Sequence, residues 1–166
     1  PPYSSAASDV YKRQEYGNTM SISSGSNVAF YGATSATVVT MSCNGGAISG
    51  GTLFVSNIIT KIPSGAFQSC NALTSLNIEA DSHLDSIESH SFENTGLTAV
   101  WIPSSVKSID TRAFYQASSL TSVTFESNSS VTVIGGETFH DATSLTSVII
   151  PASVTKLGYN VFYGCS

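Results

Sequence analysis

Charge is scarce in this sequence. Only 10% of the 166 residues are Asp, Glu, Lys or Arg, and the formal net charge at pH 7 is −5. The six basic residues do not cluster into a patch that could neutralise a nucleic-acid backbone. We therefore exclude nucleic acid as a partner, and we expect the mild acidity to serve solubility.

Long apolar runs are also missing. No stretch approaches the roughly 18 to 20 consecutive apolar residues that a membrane-spanning helix needs. The opening residues lack the charged and then apolar pattern of a signal peptide. The sequence therefore predicts no membrane span within this stretch of chain.

Catalytic and metal-binding motifs are absent as well. There is no GxSxG, HExxH or CxxC motif and no glycine loop of the kind that binds phosphate, so we predict neither an enzyme nor a cofactor. The alternating side chains of Glu79, Asp81, His83 and Asp85 resemble a set of Ca²⁺ ligands. They lack the glycine turn and ligand spacing of a Ca²⁺ loop, so a solvated insert without metal is the preferred interpretation.

A repeat of 22 to 25 residues fills the chain from about residue 50 onward. Its clearest copy has apolar residues at Phe139, Leu145, Val148, Ile150, Val154 and Leu157. The same offsets recur in copies that begin at Phe67, Phe92 and Phe114, and the next copy opens at Phe162. Self-similarity with this period is typical of a solenoid.

Each repeat predicts a short strand followed by a break. Val148 and Ile150 alternate with Ile149, which is the pattern of a strand with two side chains inward and one outward. The break is a proline (Pro103, Pro151) or a polar insert that is two residues longer. We predict about four to five turns of short strands with little helix, in which length varies only in the loops.

The repeat resembles the BspA-like leucine-rich repeats of bacterial and protist surface proteins. The residues that carry the resemblance are Ala66-Phe67-Gln-Ser-Cys70-Asn-Ala-Leu73-Thr-Ser-Leu76, Ile102-Pro103-Ser-Ser-Val106-Lys-Ser-Ile109, Leu120-Thr-Ser-Val123, Leu145-Thr-Ser-Val148-Ile-Ile150-Pro151 and Phe162-Tyr-Gly-Cys165. The chain departs from the family pattern at Thr95, Ala117 and Ala142, where Cys is expected. The resemblance implies a leucine-rich-repeat solenoid that is secreted or on the cell surface and adheres to host or matrix proteins.

Three regions are predicted along the chain. Residues 1–14 have no apolar periodicity, and we interpret them as a non-native or disordered leader. Residues 15–50 suggest short strands around Met20, Val28 and 37–41. They form a β-rich N-terminal cap or degenerate repeats, or else the tail of another β domain. Residues 51–166 form the solenoid, which we expect to be truncated at its C-terminus.

The outward residue of each strand marks the predicted binding surface. This column consists of Phe54, Asn77, Trp101, Thr124 and Ile149. Solenoids bind on the face that such a column lines, and Trp is enriched at interface hot spots. We therefore predict a protein or glycan partner on a host or matrix surface. The alternative is a structural spacer without a ligand, which should present uniform Ser and Thr on this face.

Further expectations concern the cysteines, one loop and the last strand. Cys70 and Cys165 occupy equivalent positions four turns apart, so no disulfide can join them, and we predict that both are buried packing thiols. Cys43 is left without a partner in this chain. Asn128-Ser-Ser130 is an N-glycosylation sequon that matters only in a secreted eukaryotic protein. The strand at 145–150 is an uncapped edge, so we expect self-association through it.

Overall fold

The computed structural model describes residues 19–21, 28–29, 40–42, 51–55, 57 and 59–166. The predicted leader at 1–14 and Cys43 lie outside the described residues. The described residues form twelve short strands and no helix. These strands are β1 (Thr19–Ser21), β2 (Val28–Ala29), β3 (Thr40–Ser42), β4 (Gly51–Val55), β5 (Lys61–Ile62), β6 (Leu73–Ile78), β7 (Ser86–Ile87), β8 (Ala99–Ile102), β9 (Ser108–Ile109), β10 (Ser122–Phe125), β11 (Val133–Ile134) and β12 (Lys156–Leu157).

Five of these strands form one parallel sheet that runs along the repeat. Its order is β5, β7, β9, β11 and β12, with one two-residue strand from each turn. The register aligns the apolar positions that are equivalent in the repeat, such as Ile87 with Ile109 and Ile134 with Leu157. Each turn therefore stacks on the previous one in phase. The prediction of a solenoid of short strands with about four to five turns is confirmed.

A second row of parallel strands lies at the predicted strand positions. β4 pairs with β6, and β8 pairs with β10. β2 pairs with β4, which places part of the 15–50 region beside the first described turn. Whether that region is a cap or a degenerate repeat stays a prediction.

This second row is less continuous than the repeat predicted. β6 and β8 do not form a strand pair, although the Thr98 amide donates to the Thr74 carbonyl at 3.2 Å. Leu97 follows its Phe by five residues, whereas the equivalent Leu in the other copies follows by six. Gly96 absorbs the shortening, since a Cβ there would lie 2.1 Å from the Asn71 carbonyl oxygen. The missing residue accounts for the break in pairing.

The predicted strand at 145–150 is wrong in extent. It is reduced to a single parallel bridge between Val123 and Val148. This segment belongs to the last turn, and no described strand covers its other side. The segment therefore pairs on one side only, and it contacts β10 through one bridge instead of a continuous series of strand hydrogen bonds.

The core is a column of repeated apolar side chains. The predicted inward residues of the middle copy, from Phe92 through Ile109, are at most 2% exposed. The five Phe rings stack along the axis with neighbouring centroids 5.2, 5.3, 5.5 and 5.6 Å apart. Offset aromatic stacking is favourable at such separations. Burial decreases in the last turn, where Leu157 is 52% exposed.

Backbone hydrogen bonds connect the residues around one Phe to the residues around the next Phe in the stack. The amides of Glu137, Phe139 and Asp141 donate to the carbonyls of Tyr159, Val161 and Tyr163, with donor–acceptor distances of 2.8 to 3.0 Å. Equivalent bonds start from the residues around Phe67, Phe92 and Phe114. The residues two before and two after each Phe adopt positive φ, as at Arg112 and Gln116. Because these residues have left-handed backbone conformations, alternate amides point toward the next turn. The amides of one turn therefore donate to the carbonyls of the turn that follows it.

The cysteines depart from the prediction in two respects. Cys70 is 2% exposed, as expected of a packing residue, but it is disulfide-bonded. The interpretation of Cys70 as a plain thiol is therefore wrong, because the repeat register considers only pairing within the repeat. Cys165 is free, so the prediction that no bond joins it to Cys70 is confirmed, but it is half-buried and not buried as predicted. Desolvation by burial raises the pKa of the Cys165 thiol.

Candidate functional site

The predicted column lies on the outer surface of the second strand row, which we call the strand face. The register places Phe54 beside Asn77 and Trp101 beside Thr124. Asn77 and Thr124 are exposed, and Ile149 is 88% exposed. Phe54 is half-buried, as is Trp101, which also packs against the core. The strand phase is therefore as predicted, and whether the column binds a partner stays a prediction.

Short hydroxyl side chains surround this column. The Thr98 hydroxyl donates to the Thr74 carbonyl at 3.3 Å, and the Thr121 hydroxyl donates to the Thr98 carbonyl at 2.9 Å. These bonds fix the threonine side chains along the stack. Ser75, Ser122 and Ser147 are exposed on the other side of the column. The surface is thus lined by ordered threonines and by accessible serine hydroxyls.

Over the turns that the structure describes, the strand face contains no ionisable side chain. Its outward residues are Thr52, Phe54, Thr74, Ser75, Asn77, Thr98, Ala99, Trp101, Thr121, Ser122, Thr124, Thr146, Ser147 and Ile149. Any partner that docks here meets hydroxyls, one amide and apolar groups. Such a surface provides hydrogen bonds and packing without long-range electrostatic attraction.

A glutamate follows each of the strands β6 and β10, and its carboxylate accepts a hydrogen bond from a backbone amide. Glu126 accepts a hydrogen bond from the Ser104 amide at 2.7 Å, and this bond lowers the pKa of the Glu126 carboxyl. Glu79 accepts from the Asn57 amide at 3.1 Å. His83 places its Nδ1 3.0 Å from the Asn57 carbonyl oxygen. Two side chains of the Ca²⁺ candidate therefore bond the preceding turn, and no group of three or more metal-binding side chains occurs among the described residues.

A cleft opens on the strand face between the last two turns. Its volume is about 560 Å³. The lining combines the β10 strand with the loop that follows it and with residues of the last turn, namely Ser122, Val123, Thr124, Phe125, Glu126, Asn128, Ser129, Ser147, Ile149, Pro151, Ala152 and Ser153. Two members of the predicted column, Thr124 and Ile149, therefore border a concave site.

A second surface, which we call the turn flank, lies around the residues that follow each Phe. His140 is stacked between Tyr115 and Tyr163, with centroid distances of 5.0 and 4.9 Å. Its side chain is 16% exposed, so the ring is largely covered by the two tyrosines. Its Nδ1 lies 3.2 Å from an Asp141 carboxylate oxygen without hydrogen-bond alignment.

Charged groups accompany this aromatic stack. The Arg112 guanidinium lies 5.1 Å from the Tyr115 ring centroid, and its Nε donates to the Glu137 carboxylate. The hydrogen bond with Glu137 is the main cause of a raised Arg112 pKa. Tyr159 packs on Gly136, where a Cβ would lie 2.8 Å from a ring carbon. One turn earlier in the repeat, His90 contacts the Glu93 carboxylate.

The sequence contains a pattern that predicts this aromatic stack, but the repeat of inward apolar residues does not include it. Tyr115, His140 and Tyr163 each follow a core Phe by one residue, so they share one outward position of the repeat. The repeat was defined by its inward apolar residues alone, so the position after each Phe was not compared between copies. Comparing outward positions between copies would have found the stack.

Comparisons with known proteins agree on the fold. The family model of the BspA type leucine rich repeat region matches residues 48–166 in six copies. The crystal structure of the pneumococcal vaccine antigen PcpA is 24% identical, with a TM-score of 0.60 over 88% of this chain and 34% of that chain. A leucine-rich repeat protein from Eubacterium ventriosum is 22% identical, with a TM-score of 0.60 over 72% of this chain and 32% of that chain.

The chain spans about a third of the length of those two solved structures. No curated protein matches the sequence. The part of the chain that the structure describes contains no helix with the length and apolar character needed to cross a bilayer.

Proposed function

Because the chain belongs to the BspA-type leucine-rich repeat family, we propose that it is a binding module of an extracellular or cell-surface protein. The module adheres to a partner on a host, matrix or other surface through the strand face. In this proposal the chain carries out no catalysis. Its repeats present a surface, and the partner supplies any further chemistry.

One observation carries the proposal. Trp101, the only Trp in the sequence, is half-exposed in the middle of a strand face without charged residues. A tryptophan in that setting has the large contact area and low polarity of interface hot spots. Exposed Thr124, its partner in the strand register, offers a hydrogen-bonding group beside it. The strand face therefore provides an apolar anchor with polar surroundings, as a binding surface requires.

The cysteine chemistry supports the proposed location. Cys70 is disulfide-bonded. Disulfides form and persist in oxidising compartments and are rare in the cytosol. This favours a secreted or surface-exposed protein over an intracellular one, in line with the family resemblance.

A structural spacer is the second candidate, and one observation favours it. Most outward strand-face residues are Ser or Thr, and several of their hydroxyls bond the neighbouring turn. Hydroxyls used in this way stabilise the stack without requiring a ligand. A spacer would bind nothing through either outer surface while it holds another domain away from the cell.

The test substitutes Trp101 with alanine and measures binding to immobilised host-matrix proteins. We expect Trp101→Ala to weaken binding by about 2 kcal/mol or more while the chain stays folded. Tyr159→Ala is the matched control, since it removes an exposed aromatic from the turn flank.

Three outcomes contradict the proposal. Equal binding by wild type and Trp101→Ala to a confirmed partner moves the site off the strand face. Absence of binding to every matrix protein favours the spacer. A large loss of thermal stability in Trp101→Ala places the ring in the core instead of at a binding surface.

A further inference from the structure

We propose that the cleft beside β10, together with Trp101, binds a neutral glycan. This inference rests on the proposed binding role of the strand face and names the class of ligand. Trp101 lies beside Thr124 in the strand register, and Thr124 lines the cleft. The aromatic ring and the cleft are thus one strand spacing apart, about 4.8 Å, and one ligand can contact both.

The lining of the cleft matches the chemistry of a sugar. Ser122, Thr124 and Ser147 bring exposed hydroxyls, and Asn128 brings an exposed amide. Hydroxyls and amides both donate and accept, as sugar hydroxyls do, so each can satisfy the other. The remaining lining is largely apolar, including Ile149 and Pro151, and can pack against the C–H groups of a sugar ring. The volume of about 560 Å³ lies within the usual range for ligand sites, roughly 300 to 1,000 Å³.

The charge of the site selects a neutral ligand. Among the lining residues the sole ionisable group is Glu126, and its carboxylate already accepts the Ser104 amide. No Lys, Arg or His lines the cleft, so a sulfated or sialylated glycan meets one negative charge and no positive partner. A neutral glycan avoids this repulsion and leaves the Glu126 bond intact.

A polypeptide ligand fits this site less well. An extended peptide binds by adding a strand to an open edge, but the edge of β10 that faces the cleft is bridged to the last turn through Val123 and Val148. Tyr and Arg, which are enriched in protein interfaces, lie on the turn flank at Tyr115, Tyr159 and Arg112. The strand face offers short hydroxyls and the single Trp101 in their place.

Because the chain has one Trp, its fluorescence reports on this site directly. The intact chain is titrated with neutral oligosaccharides (maltohexaose, cellohexaose, xylohexaose and a mannan hexasaccharide), with heparin, and with gelatin as a polypeptide. We expect a saturable change in Trp101 emission with at least one neutral oligosaccharide and none with heparin. The dissociation constant should change by less than about twofold between low and high salt, because no charge pair contributes.

Filling the cleft provides the decisive variant. Ser147 is exposed at the rim, so Ser147→Phe should leave the core unchanged while it occupies the ligand space. We expect a loss of affinity of about tenfold or more by calorimetry. Gln68→Phe is the control, since it adds the same side chain at an exposed position directly after Phe67 and outside the cleft lining. It should bind as wild type does.

The outcomes separate this inference from the proposed function. If gelatin changes the Trp101 emission and no neutral oligosaccharide does, the glycan inference is wrong and the binding role of the strand face stands. If heparin binds best, the charge argument is wrong. If an oligosaccharide binds Ser147→Phe as tightly as wild type, the site is not this cleft. If no probe binds, the glycan inference is overturned, while matrix-protein binding is still decided by Trp101→Ala.

Discussion

The strand face and the turn flank are built from the same repeat and differ in chemistry. Among the described residues, the strand face presents mostly Ser and Thr together with Asn77, half-exposed Trp101 and the apolar Phe54, Ala99 and Ile149, with no charged residue. The turn flank carries Arg112 and Glu137 as an ion pair beside stacked Tyr and His rings. Both are outer surfaces of one stack, so packing of the turns does not account for the difference.

This difference shows that the repeat constrains its inward positions but allows its outward positions to vary. Inward positions keep the same residue type from turn to turn, because the stack buries them at 5 to 6 Å spacing. Outward positions are free to diverge between copies. At the position after each Phe the residues are Gln68, Glu93, Tyr115, His140 and Tyr163. Chemistry that differs between outward positions is therefore where binding specificity can reside.

The largest effect should come from removing the buried ring that supports the turn flank. Phe114 is fully buried between Phe92 and Phe139, with centroids 5.3 and 5.5 Å away. We expect Phe114→Ala to destabilise the chain by about 3–5 kcal/mol because it leaves a cavity in the stack. Tyr115→Ala, one residue later on the outside, should cost less than half as much. Urea unfolding followed by circular dichroism measures both, and equal losses would show that the outer stack is as structural as the inner one.

A smaller effect should distinguish the two surfaces in self-association. Ile149 is 88% exposed on the strand face beside the singly bridged segment of the last turn, and Tyr159 is 64% exposed on the turn flank. An exposed apolar strand edge favours pairing with another chain. We expect the chain to self-associate at high concentration, and Ile149→Lys to reduce this more than Tyr159→Ser does.

Light scattering over a concentration series tests the comparison. A lysine on an edge strand disfavours pairing because it would bury a charge. A wild-type chain that stays monomeric throughout contradicts the self-association itself. A stronger effect of Tyr159→Ser assigns the contact to the turn flank.

The sequence predicted the inward half of this architecture well. The spacing of Phe67, Phe92, Phe114 and Phe139 identified residues that are all at most 2% exposed and stacked. Burial imposes the same requirement in every turn, so the pattern repeats and can be recognised. The alternation that placed Thr124 and Ile149 outward follows from the same constraint.

The remaining features depend on how particular turns differ from one another, and the shared repeat pattern does not contain that information. The break between β6 and β8 follows from one missing residue before Leu97. The disulfide at Cys70 is not specified by the position that Cys occupies in the repeat. The cleft lies between β10 with its following loop and the segment at 145–150, which is reduced to a bridge at Val148. Each of these results from a departure from the repeat, and a template describes only what the copies share.

The smallest expected effect concerns the glutamate at the border of the strand face. The Ser104 amide bonds the Glu126 carboxylate and lowers its pKa below the ordinary value of 4.5. A carboxyl with a depressed pKa in the folded state contributes stability that is present above pH 4.5 and is lost as the pH falls through the folded-state pKa. Glu126→Gln keeps the shape and an oxygen acceptor but cannot ionise. Its melting temperature should therefore fall less steeply between neutral and acidic pH than that of the wild type. Thermal melts across this range test the sign, and a parallel decline in both proteins would mean that the Ser104 bond does not favour the ionised form.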